Sequence, residues 1–111
     1  MTRTEKERRK SLSEEELRLE EYLKDFHCGR DRAIKSRDLE TVFGCTSRAL
    51  QIMVHNLRCA FVPVCSESVG YFYPSCVEEI EATMKGLKSR VKEINEAKVG
   101  MDCAFKRFVG M

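Results

Sequence analysis

The residues best suited to covalent or metal chemistry are six cysteines (Cys28, Cys45, Cys59, Cys65, Cys76 and Cys103) and two histidines, His27 and His55. Successive cysteines stand 17, 14, 6, 11 and 27 positions apart, so no Cys-x-x-Cys pair exists. Structural zinc sites are usually built on such pairs, and neither histidine completes another ligand spacing. No metal and no cofactor are therefore expected. A disulfide framework is set aside as well, because no secretion signal is read at the basic N-terminus and the apolar pattern supplies a core without staples. The histidines lack a nucleophile or carboxylate at a known catalytic spacing, and no glycine loop is built to cradle phosphate. Enzymatic activity is not expected.

Non-covalent recognition fits the residues better. The 111 residues include 20 Lys and Arg against 18 Asp and Glu, a net charge of +2, and 42% are hydrophobic. That composition suits one small domain with a tail and excludes a large enzyme scaffold. No run of 18 apolar residues exists, so no membrane span is expected, and a cytoplasmic location is. The charge is unevenly laid out. Residues 1–10 carry Arg3, Lys6, Arg8, Arg9 and Lys10 against Glu5 and Glu7. Residues 11–29 hold six acids against Arg18 and Lys24, whereas Cys45 to Ala60 holds Arg48 and Arg58 and no acid. The acid-free stretch and the basic arm could form a nucleic-acid face; an ordinary solvated surface would have the same composition.

Several elements must position these side chains. Residues 1–11 read as a flexible arm. Ser13 and Glu16 form a capping box, flanked by Leu12 and Leu17 as a hydrophobic staple. Leu19, Tyr22, Leu23 and Phe26 continue that helix's apolar stripe, and Gly29 stops it. Ala33 and Ile34 suggest a very short strand. Ser36 can cap a second helix, Arg37 to Phe43, with Leu39, Val42 and Phe43 inward and Gly44 at its left-handed end. Thr46 can cap a third, Ser47 to about Arg58, whose buried stripe is Leu50, Val54 and Leu57. Residues 61–65 read as an edge strand, 66–70 as a loop, and 71–73 as the returning strand.

The C-terminal segment differs. Ser75 and Glu78 suggest another capping box. Ile80, Met84, Leu87, Val91, Ile94, Met101, Phe105 and Phe108 then follow a heptad pattern, interrupted by Lys98. Gly86 and Gly100 weaken this helix, which would be about 48 Å long if continuous. A domain of some 75 residues cannot cover that length, so pairing into a homodimer is expected; the other outcomes are docking on a partner, or a break near Gly100 with the end folding back. The boundaries are read as an arm at 1–11, a domain at 12–74 and a dimerisation helix at 75–111. The fold class is mainly α with a small β-hairpin.

The run Ser36-Arg37-Asp38-Leu39-Glu40, Phe43-Gly44-Cys45-Thr46-Ser47-Arg48-Ala49-Leu50 and Val54-His55-Asn56-Leu57-Arg58 resembles the winged helix-turn-helix of bacterial and phage regulators. It is particularly similar to the N-terminal DNA-binding domain of the biotin-ligase repressor, whose strand and wing would correspond to Pro63-Val64-Cys65 and Gly70-Tyr71-Phe72. The resemblance spans about residues 17–74, and nothing here matches the ligase domain, so no biotin chemistry is expected. It implies that the third helix enters the major groove of double-stranded DNA. Ser47, Arg48, Gln51, Ile52 and His55 would then face bases, with Arg48 suited to guanine and Gln51 to adenine. Lys35, Arg37, Ser66, Ser68, Arg8, Arg9 and Lys10 would meet the backbone.

The expected function is sequence-specific DNA binding by a small dimeric regulator or architectural factor. The alternative is a protein-interaction module of phage or mobile-element origin that inhibits or recruits a host complex, since winged domains also bind proteins. Ile52 and Met53 separate the two readings, because apolar side chains on the reading face suit a protein partner.

Overall fold

A computed structural model describes residues 2–111. The helices are α1 (Arg3–Lys10), α2 (Glu14–Phe26), α3 (Ser36–Phe43), α4 (Ser47–Cys59) and α5 (Val77–Val109). A 3-10 turn occupies Arg30–Arg32, and β1 (Cys65–Glu67) pairs antiparallel with β2 (Gly70–Phe72). The protein is thus mainly helical, with a small hairpin and a long C-terminal helix. It divides into a first compact unit that ends at Ile80 and a second, Glu81–Met111.

Local signals set the ends of α2, α3 and α4. Ser13 Oγ accepts from the Glu16 amide at 3.1 Å, and the Ser13 amide donates to Glu16 Oε1 at 2.8 Å, completing the capping box. The second Glu16 oxygen accepts from Asn56 Nδ2 at 2.7 Å, which ties α2 to α4. Thr46 Oγ1 accepts from the Ala49 amide at the start of α4, and Gly44 ends α3 at φ 59°. Ser36 departs from expectation. Lys35 holds the cap position, while the Ser36 hydroxyl donates to Glu40 one turn along.

The core of the first unit joins Leu19 and Leu23 of α2, Leu39 of α3, and Leu50, Val54 and Leu57 of α4 to Ile34, Val62 and Val64. Each fully buried leucine contributes about 1.5–3 kcal/mol of apolar burial. Phe72 is completely buried, and Tyr71 and Tyr73 pack at the core's margin. Two expected inner residues turn outward: Val42 is 52% exposed, and Phe26 is exposed with its ring 5.3 Å from that of Tyr22.

Residues 61–65 do not form the expected strand. Phe61 instead closes α4 in the left-handed region, at φ 67°. Its amide donates to the Arg58 carbonyl and the Val62 amide to the Leu57 carbonyl, both at 3.0 Å. This is the double bond of a Schellman cap, built on phenylalanine where glycine is usual. Strand pairing starts only at Cys65, in the register Cys65–Phe72, Ser66–Tyr71 and Glu67–Gly70. The expected five-residue loop is therefore a two-residue turn, Ser68-Val69. Ile34 pairs with Tyr71 through two backbone bonds of 2.9 and 2.8 Å. Gly70, at φ 123°, permits that approach, since a Cβ there would lie 2.2 Å from the Ile34 carbonyl oxygen.

Within the arm expected to be flexible, Arg3–Lys10 form α1, and its bases fasten it to the rest of the first unit; Met1 lies outside the described residues. Arg8 Nη1 donates to the Cys59 carbonyl at 2.8 Å, meeting the negative end of α4, and its guanidinium lies 5.4 Å from the centre of the Phe61 ring. Arg9 grips the Glu20 carboxylate with two bonds, of 2.9 and 3.2 Å. The sequence of α1 has no apolar face, so these tertiary bonds are what hold it.

Glu79, not Glu78, organises the start of α5. Its carboxylate accepts from the Ser75 amide (2.8 Å), the Ser75 hydroxyl (3.1 Å) and the Arg30 amide (2.9 Å). The Ser75 amide and then the Arg30 amide hold this carboxyl below the ordinary glutamate range, against a smaller opposing effect of burial. The helix continues unbroken through Gly86 and Gly100, so no fold-back occurs at Gly100. Ile80 is half-buried, but Met84, Leu87, Val91, Ile94, Met101, Phe105 and Phe108 are all exposed.

Candidate nucleic-acid interface

The core stripe of α4 fixes what the rest of that helix presents. With Leu50, Val54 and Leu57 turned inward, Ser47, Arg48, Gln51, Ile52 and His55 lie exposed on the remaining surface. Met53 takes an intermediate position packed against the core, whereas Ile52 is 45% exposed. His55 Nε2 lies 3.5 Å from Cys59 Sγ, one turn along the same helix. Arg48 and Gln51 offer a planar donor fork and a combined donor and acceptor amide on one surface. Those groups can read the edges of base pairs or polar groups of a protein.

The fold commits several of the residues expected to meet the DNA backbone. Arg58 Nε donates to the Val64 carbonyl, and its Nη2 donates to Ser66 Oγ, each at 2.9 Å. Ser66 therefore belongs to a brace between α4 and β1. Lys35 Nζ donates to the Ser68 carbonyl at 3.1 Å, holding the hairpin turn. Arg30 pairs with Glu67 at 2.7 Å, which offsets charge on the other side of the hairpin. Arg8 and Arg9 are held by the Cys59 carbonyl and Glu20. Lys10, Arg37 and Ser68 remain exposed. The first turn of α3 has no side-chain cap; Arg37 stands in that turn with Asp38, and the Glu40 carboxylate accepts from the Ser36 hydroxyl.

Sequence periodicity could place the α4 face but not the brace. The engagement of Arg58 with Val64 and Ser66 depends on where the chain turns at Phe61, and a phenylalanine in that role carries no sequence signal. Arg8 and Arg9 likewise gave no local sign of their partners, 51 and 11 residues away.

Among the described residues, no disulfide joins any of the six cysteines. Among the described residues, no three His, Cys, Asp or Glu side chains cluster as metal ligands, and no helix is long and apolar enough to cross a membrane. The chain matches no protein-family model, no curated protein and no solved structure.

Proposed function

We propose that the first unit is a winged helix-turn-helix that binds double-stranded DNA, with α4 as the reading helix, and that the protein acts as a homodimer paired through α5. The observation that carries this reading is the solvent face of α4. It presents Arg48, Gln51 and His55 together, on a stretch from Cys45 to Ser66 that contains no acid. Carboxylates repel phosphate, so their absence from this stretch favours close approach to a polyanion. The uncapped first turn of α3, next to Arg37, supplies amides for a phosphate. Arg48 reads guanine O6 and N7, and Gln51 reads adenine N6 and N7. Ile52 meets a thymine methyl. Lys35 and Arg58 act indirectly in this scheme, by holding the hairpin against α4.

The test is selection of a random duplex library on the purified protein at about 0.15 M salt, followed by sequencing of the retained pool. An enriched motif that weakens with Arg48→Ala and Gln51→Ala, at unchanged melting temperature, supports the reading. Each replacement should cost roughly 1–3 kcal/mol of discrimination at its base.

A second reading rests on Ile52 and on the pairing of Arg30 with Glu67. An exposed aliphatic residue, together with a hairpin whose Glu67 is paired with Arg30, also suits a protein partner. Folded protein that retains no duplex would favour this reading, and Ile52→Ser would then abolish binding to that partner.

A further inference from the structure

The exposed stripe of α5 begins at Met84 and ends at Phe108, and it is symmetric about its centre in a way that selects one mode of pairing. In heptad terms, Met84, Val91, Lys98 and Phe105 occupy a positions, and Leu87, Ile94, Met101 and Phe108 occupy d positions. In an antiparallel pair, a residues face d residues of the other chain. When the two numbers sum to 192, every seam residue finds a partner. Met84 meets Phe108, Leu87 meets Phe105, Val91 meets Met101, and Ile94 meets Lys98. Ile80 takes no part, which agrees with its half-buried place in the first unit.

We infer that the occupant of this stripe is a second copy of the chain, paired antiparallel in that register. The flanking charges select it. Antiparallel seams bring e positions beside e positions, here Lys88 beside Asp102, twice by symmetry, and Asn95 beside its own copy at the two-fold axis. The flanking g positions pair Ala97 with Ala97 and Arg90 with Ala104, with no like charges opposed. Moving the register one heptad one way sets Glu81 against Asp102, and two heptads that way sets Lys88 against itself. One heptad the other way leaves no ion pair and strands Met84 and Leu87. A parallel pair in register would stack Lys98 on Lys98 in the seam and leave Lys88 facing Thr83 and Asp102 facing Ala97. In the chosen register Lys98 lies against Ile94, which gives its stem an aliphatic neighbour and leaves its ammonium free to reach water.

Size agrees with this occupant. Phe105 is 68% and Phe108 79% exposed in the single chain. Four such rings hide on the order of 600 Å² even at the low end for phenylalanine, about half of what a standard interface needs before the aliphatic residues are added. Pairing in this register separates the two Glu81 positions by about 45 Å along the helix pair. The two copies of the first unit therefore leave from opposite ends. The inference extends the homodimer part of the proposed function and is independent of whether the first unit binds DNA.

The test uses the intact protein without DNA. Sedimentation at about 100 μM gives the mass, and zero-length carbodiimide coupling followed by peptide mass spectrometry finds contacting Lys–carboxylate pairs. Lys88 and Asp102 lie about 21 Å apart on one helix, so a bond between them reports two chains. A dimer carrying the Lys88–Asp102 bond is the expected result. A monomer overturns the second-copy occupant, and a dimer without that bond overturns the register. Charge exchange provides the second measurement. Lys88→Asp should weaken the dimer about tenfold, and the double variant Lys88→Asp, Asp102→Lys should restore it; failure to restore it overturns the pairing. Loss of DNA selection with the dimer and crosslink intact would count against DNA binding alone.

Discussion

Apolar residues are about as frequent after Ile80 as before it, yet the two regions dispose of them in opposite ways. Before Ile80, α2, α3, α4 and the hairpin surround one another, and Leu19, Leu23, Leu39, Leu50, Leu57 and Phe72 reach zero exposure. After it, the heptad residues of α5 stay in water from Met84 to Phe108. Burial in the first region is completed within one chain, and polar braces between elements accompany it: Asn56 on Glu16, Arg9 on Glu20, Arg58 on Val64 and Ser66, and Arg30 on Glu67 and Glu79. The second region has regular periodicity with its apolar face left for another surface. A hydrophobic pattern alone therefore does not tell whether its partner lies in the same molecule.

The contrast breaks most sharply at Gly70. Gly70→Ala drives a methyl group into the Ile34 carbonyl and imposes a side chain on a left-handed residue. The expected loss exceeds about 3 kcal/mol, read as a collapse of the cooperative melt of the first unit. A smaller effect is expected at Glu20, whose carboxylate is 10% exposed. Glu20→Ala should cost about 1–3 kcal/mol and speed amide exchange in residues 3–10, because α1 has no apolar face to keep it in place.

Acid should act on the first region through Glu79. Its carboxyl titrates lower in the folded chain than in the unfolded one, so its stabilisation is fully present above the unfolded value near pH 4.3 and is lost as pH falls through the folded value. Urea midpoints of wild type and Glu79→Gln should differ at pH 7 and converge as the pH drops from about 4.3. A constant gap across that range would contradict the assignment. The smallest change is expected at Phe61. Phe61→Gly relieves a left-handed phenylalanine, a gain of about 1 kcal/mol, and loses the ring under Arg8, worth about 0.5–1 kcal/mol. The melting temperature should move by no more than a few degrees.

Features written in neighbouring residues were legible in the sequence. Ser13 with Glu16, Thr46 before α4, Gly44 after α3 and the heptads of α5 each act within a turn or two of chain. The outward face of α4 followed from the spacing of Leu50, Val54 and Leu57. What escaped depends on distant partners. The arm at 3–10 looked free because every residue that fixes it lies elsewhere. Glu78 has the capping-box spacing from Ser75, but Glu79 is the residue engaged, and the Arg30 amide that helps to hold it is distant in sequence. Lys35, Ser66, Arg8 and Arg9 read as available for phosphate until the fold supplied them with closer ligands.

The open face of α5 also bears on how long the protein lasts. A lone helix with Gly86 and Gly100 in its interior, each costing roughly 1 kcal/mol against alanine, holds its shape weakly. Paired as inferred above, it would gain order by mass action, in step with the logarithm of its own concentration. Dilute chains would fray and expose peptide bonds to proteases from Glu81 onward, while concentrated ones would be shielded. The abundance of the protein would then set its rate of clearance, with no dedicated degradation signal required.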